Sequence, residues 1–119
     1  MRKDGRLRRL VVGDTTWWWS VRHKHRPACH EVLSLHRQHH PGGRTTLRIL
    51  FPAGPGRFVA EGHWYAGSVT NGQGDLLNLH EPGVVHQFLQ AAAARGLVPE
   101  APGETRLDGW PLFDSLIGR

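Results

Sequence analysis

The spacing of apolar and polar positions divides the chain into a long strand-like stretch and a shorter helical one. Residues 7–12 form a short apolar run, Gly13-Asp14-Thr15 is a turn signal, and residues 16–25 continue with aromatic and β-branched side chains. That order reads as a hairpin. Pro27 interrupts it, residues 31–37 resume as a strand, and the loop 38–44 leads into another strand at 45–51. The breaker Pro52-Ala53-Gly54-Pro55-Gly56 is followed by extended segments at 57–60 and 63–70 and, after the turn Asn71-Gly72-Gln73-Gly74-Asp75, at 76–79. The period then changes. Val85, Phe88, Leu89 and Ala92 stand at i, i+3, i+4 and i+7, which predicts a helix over 82–95 with Pro82 in its first turn and Gly96 at its C-terminal cap. Asp108 is placed to cap a short final helix through 110–117, with Pro111 in its first turn. The expected fold class is α+β: an antiparallel sheet of five or six strands packed against one main C-terminal helix, plus the short final helix, in a single domain over 1–119.

Alternation assigns the strand residues to faces, because successive side chains point to opposite sides. Trp17, Trp19, Val21, Leu33, Leu35, Leu47, Ile49 and Phe51 fall on one face, which is expected to pack on Val85, Phe88 and Leu89 of the helix. Trp18, Arg22, Lys24, His36 and Arg48 fall on the other.

Composition narrows the class without naming an activity. The 119 residues hold 39% apolar side chains, 15 Gly and 8 Pro, enough for one packed core and too few for two. Cys29 is the only cysteine, so no intramolecular disulfide forms, and a reducing compartment is compatible. The N-terminal residues lack the apolar stretch of a signal peptide, and no run of about 18 apolar residues occurs, so the expected location is the cytoplasm, with no membrane partner. Fifteen Lys and Arg against ten Asp and Glu give a formal charge of +5, before any of the nine His is protonated. Thirteen of the fifteen cations are Arg, a bias that discounts any one Arg as a chosen bidentate contact.

Two groups of residues carry candidate chemistry. The face bearing Trp18, Arg22, Lys24, His36 and Arg48 sets cations around an aromatic ring; cations neutralise phosphates and a Trp offers a plane for a base, so nucleic acid or an acidic protein is the expected partner. Arg6, Arg8 and Arg9 extend that positive field. A solvated face with Trp18 packed under a loop accounts for the same residues. The second group is His23, His25, Cys29 and His30, within eight residues, with His36, His39 and His40 close behind. Zinc takes N and S ligands in a tetrahedron, and residues two apart on a strand share a side, so His23 and His25 are candidates to share an ion with Cys29 or a later His at the rim of the core. The spacing matches none of the common structural zinc signatures, and exposed loop histidines are the plain alternative.

Other templates are missing. No G-x-S-x-G surrounds Ser20, Ser34, Ser68 or Ser115, no H-E-x-x-H occurs, and the glycine-rich segment 67–74 lacks the Lys-Ser/Thr of a phosphate loop and reads as a hairpin turn. Glu100 and Glu104 flank a Pro/Gly loop and read as solvated. His80 and Glu81 adjoin a helix start, where an anion site and simple helix capping are both open. The segment Asp108-Gly109-Trp110-Pro111-Leu112-Phe113 is expected to fold back over the core, docking on a partner being the alternative.

Residues 12–25 (VGDTTWWWSVRHKH), 77–85 (LNLHEPGVV) and 108–114 (DGWPLFD) resemble small proteins of unknown function from Streptomyces-type actinomycetes. That resemblance agrees with one cytoplasmic domain and implies no activity. The expected function is therefore a non-enzymatic binding or regulatory module whose basic sheet face meets an acidic partner. The alternatives are a small metal or ligand site, with zinc as the ion, and a protein-interaction or homodimer module using an open sheet edge or the C-terminal tail.

Overall fold

The computed structural model describes residues 6–59 and 66–118. Strands β1 (Arg8–Val12), β2 (Thr15–Lys24), β3 (His30–Gln38) and β4 (Arg44–Pro52) form an antiparallel meander. Three short strands follow, β5 (Phe58–Val59), β6 (Ser68–Thr70) and β7 (Leu76–Asn78), then helix α1 (Pro82–Ala94), strand β8 (Gly103–Asp108) and helix α2 (Trp110–Leu116). β8 pairs with β4 in parallel, completing a five-stranded sheet ordered β1-β2-β3-β4-β8, while β5, β6 and β7 make a separate antiparallel sheet.

The fold is thus α+β, but the expected single antiparallel sheet is corrected to a mixed sheet and a small companion. The chain leaves β4 through the small sheet and α1 before it returns, and so long a crossover permits a parallel partner. β8 escapes the sequence pattern because only Thr105 and Leu107 of its six residues face inward, opposite Leu47 and Ile49. Of the shorter expected strands, 57–60 and 63–70 are seen as Phe58–Val59 and Ser68–Thr70, with 60–65 outside the described residues.

The core face follows the alternation. Trp17, Trp19, Val21, Leu33, Leu35, Leu47, Ile49 and Phe51 are all buried, and they join Val85, Phe88, Leu89 and Ala92 of α1 in one hydrophobic cluster. Val59, Val69 and Leu79 bring the small sheet into the same cluster. Trp110, Leu112 and Phe113 of α2 complete it, so the C-terminal segment does fold back. Its corner is tight: the Gly109 N–H donates to the Leu50 carbonyl at 2.7 Å, and a Cβ on Gly109 would lie 2.4 Å from the Phe51 ring. Trp110 locks the corner by donating its indole N–H to the Pro52 carbonyl at 2.8 Å. Asp108 ends β8 and Gly109 takes the N-cap position expected for it, although Asp108 still accepts the Trp110 backbone N–H at 3.2 Å.

α1 begins at Pro82 as its pattern predicts. It ends at Ala94 with Arg95 as the C-cap, and Gly96, one residue past the cap with φ of +70°, turns the chain so that the Gly96 and Leu97 N–H groups reach the Ala93 and Ala92 carbonyls. Of the segment 67–74, read as a hairpin turn, residues 68–70 are strand β6 itself; the turn to β7 spans 71–75 and is held by Thr70 Oγ1 donating to the Asp75 carbonyl at 2.6 Å.

Candidate anion-binding face and histidine cluster

The second face of the large sheet is open and concave. Its hollow measures about 810 Å³ and spans β2, β3, β4 and β8, with residues 26–28 of the β2–β3 loop at one end. The shape comes from side-chain size. The middle strand β3 presents Val32 and Ser34, both nearly buried, and these are paired in register with Arg22 and Ser20 on β2 and with Leu50 and Arg48 on β4. Long side chains on the flanking strands therefore stand above a floor of small ones.

Arg22, Lys24, Arg26, Arg44, Arg48 and Arg106 line this hollow together with Leu7, His30, His36 and one carboxylate, Glu104. Arg48 is fixed from two sides, donating to Ser34 Oγ at 2.8 Å and to Glu104 at 3.2 Å. Arg106 donates to the same Glu104 oxygen at 3.1 Å. These two guanidiniums, Arg106 first, hold the Glu104 carboxyl below its ordinary range. Among the described residues, Arg22, Lys24, Arg26 and Arg44 have no carboxylate within ion-pair distance. His36 lies on the same face and shares a hydrogen bond with Thr46 Oγ1 at 2.9 Å. Burial, then the charges of Arg44 and Arg48, push its pKa below the usual histidine value.

Four of the five residues expected on this face, Arg22, Lys24, His36 and Arg48, line the hollow. Trp18 shares their side of the sheet, between Arg9 and His36 in register, but lies beyond the hollow's lining with 40% of its surface exposed. Arg8 does not extend the field, because strand alternation turns it to the closed side: its guanidinium stacks 4.6 Å above the Trp19 ring and donates to the His80 carbonyl at 2.7 Å. Sequence reading missed Arg26, Arg44, Glu104 and Arg106 as members of one group. Their signal is the E-x-R alternation at Glu104 and Arg106, which means nothing until β8 is laid beside β4.

The histidine cluster lies at the loop end of the same hairpin, on the closed side. β2 alternation places His23 in line with Trp19 and Val21, opposite Glu31 on β3. Glu31 is 1% exposed and hydrogen-bonds His23 Nδ1. Burial pushes the Glu31 carboxyl above the usual carboxylate range, with the His23 hydrogen bond pulling the other way. The His25 ring meets the His23 ring edge-on, 4.6 Å between centroids, and Cys29 Sγ lies 3.6 Å from His25 Nδ1. One ligand atom each from His23, His25 and Cys29 falls within 4.8 Å of the others. His30 is not among them: it faces the open hollow, its Nδ1–H donating to the Ala28 carbonyl at 2.7 Å. His80 packs against Gly67, where a Cβ would meet its ring at 2.5 Å, and its carbonyl is taken by Arg8.

No protein-family model, curated protein or solved structure matches the chain. Among the described residues no helix is long and apolar enough to cross a membrane. The functional reading rests on the two sites themselves.

Proposed function

We propose that this chain is a non-enzymatic binding module whose open sheet face receives a single-stranded nucleic acid. One observation carries the reading: Arg22, Lys24, Arg26 and Arg44, without ion pairs among the described residues, surround a single concave surface. Such a cluster costs repulsion in the isolated protein, and an arriving polyanion relieves it. Backbone phosphates fit the cations, and Trp18 at the edge of the face offers a stacking plane for a base. A single strand suits the site better than a duplex, because both helices pack on the opposite side of the sheet and neither is placed to enter a major groove.

Fluorescence anisotropy with labelled single-stranded oligonucleotides across a salt series tests this. Contacts to four phosphates give a slope of log K against log salt of about −3. Trp18→Ala weakens binding by about 1–3 kcal/mol if a base stacks there. Affinity independent of salt overturns the reading. Equal or tighter binding of a poly-glutamate peptide assigns the face to acidic proteins instead.

A further inference from the structure

At the closed end of the β2–β3 hairpin, four side chains are arranged in the order a metal centre requires, independently of the open face. We propose that His23, His25 and Cys29 bind one divalent ion of the zinc type, with Glu31 as the positioning residue behind His23.

The ligand set suits the ion. Imidazole and thiolate together favour zinc over magnesium or calcium, which prefer oxygen. The spacing suits it as well. With Zn–S of about 2.3 Å and Zn–N of about 2.05 Å, the sulfur–nitrogen edge of a tetrahedron is about 3.6 Å. Cys29 Sγ and His25 Nδ1 are 3.6 Å apart, and one ligand atom each from His23, His25 and Cys29 can be taken within 4.8 Å of the others.

His23 provides the independent observation. Its Nδ1 is engaged by Glu31, while its Nε2 is shut off from solvent and has no hydrogen-bond partner among the described residues. A buried ring nitrogen of this kind ordinarily has a partner. An ion coordinated at Nε2 supplies one. Glu31 then acts as the carboxylate that fixes the tautomer and the orientation of a ligating histidine. Its own position is set by pairing between His23 and Phe51 in the register of three strands.

The backbone prepares the remaining ligand. The Ala53 N–H donates to the Cys29 carbonyl at 3.1 Å, tying residue 29 to the end of β4. Residues 26–28, which lead from His25 to Cys29, also form one end of the open hollow, so a bound ion would fix that rim. Three protein ligands leave the fourth position to water or another small donor.

Cobalt titration of the reduced, untagged full-length protein decides the matter. The expected result is one saturable equivalent with a thiolate-to-cobalt charge-transfer band in the near ultraviolet and intense tetrahedral visible bands, all displaced by one equivalent of zinc. Cys29→Ser abolishes the charge-transfer band, and His25→Gln, at an exposed position, weakens binding while circular dichroism remains native. Glu31→Gln lowers affinity about 10- to 100-fold and keeps the band, because the ligands are unchanged. Binding without a charge-transfer band, or a band that survives Cys29→Ser, overturns the site. Unchanged affinity in Glu31→Gln overturns the positioning role.

Discussion

Strands β2, β3 and β4 carry two faces that differ in what determines them. On the closed face, Trp19, Leu33, Leu35, Leu47, Ile49 and Phe51 are at most 1% exposed, and they share one hydrophobic cluster with residues of both helices and of the small sheet. On the open face the same backbone presents Arg22, Lys24, Arg44 and Arg48 around a floor of Val32 and Ser34. The closed face is governed by apolar area removed from water, which rewards any well-packed hydrophobe. The open face gains little from folding, since its cations lie near one another in water. It is a surface whose favourable energy awaits an anion. One strand set therefore serves stability on one side and recognition on the other, and substitutions on the two sides should separate these properties.

The largest effect is expected on the closed side. Phe51 is fully buried and stacks edge-on against Phe88 and Trp110, so Phe51→Ala should cost about 3–5 kcal/mol of unfolding free energy in denaturant titration. A loss below about 1 kcal/mol would mean that the sheet and the helices do not share one core.

Arg22→Ala with Arg44→Ala should do the reverse, changing stability by no more than about 0.5 kcal/mol each while lowering the salt slope of oligonucleotide binding by about 1.4. An unaltered slope in that double variant would place the phosphates elsewhere.

A third test uses pH. His36 has its pKa lowered in the folded protein from the ordinary 6.5, first by burial and then by Arg44 and Arg48. As pH falls below about 6.5, the unfolded chain takes up this proton before the folded one does, so stability decreases until pH has passed the lower, folded value. Thermal melts between pH 7.5 and 5 should show that decline, and His36→Gln should make it shallower. An identical pH profile in the variant would show that other groups control it.

The smallest effect concerns an ion pair at the edge of the closed side. Arg57 clamps Asp114 of α2 through two hydrogen bonds, 2.8 and 2.6 Å, while stacked 4.9 Å over Trp110. The Arg57 hydrogen bond holds the Asp114 carboxyl below its ordinary 3.8, so its stabilisation is present above that pH and is lost as pH falls through the folded value. The Asp114 side chain is 41% exposed, and solvent screening limits Asp114→Asn to about 1 kcal/mol or less near neutral pH, vanishing in strong acid.

These contrasts also explain what could be read in advance. Trp17, Trp19 and Val21 announce a core face by alternation alone, and Val85, Phe88 and Leu89 announce the helix that covers it, because each pattern is local and repeats with the period of its own element. Gly96 marks the helix end for an equally local reason, a backbone turn into positive φ. Glu31 gives no such sign. It stands where alternation places a core residue, and a carboxylate there makes sense only once His23 is known to lie opposite. Glu104 reads as solvated in the sequence, and its carboxyl does face solvent, yet it also pins Arg48 from a strand whose partner no local pattern reveals.

By itself, then, the sequence determined the alternating core, the main helix, the turn at 71–75 and the outward placement of Arg22, Lys24 and Arg48, all consequences of period and local backbone preference. The tertiary structure alone decided that β8 joins β4 in parallel and brings Glu104 and Arg106 to the hollow. It also decided that Arg8 and His30 leave the groups they were assigned to, and that His23 meets Glu31. Those outcomes depend on strand order and register, which are settled by packing between segments far apart in the chain rather than by any pattern within one of them.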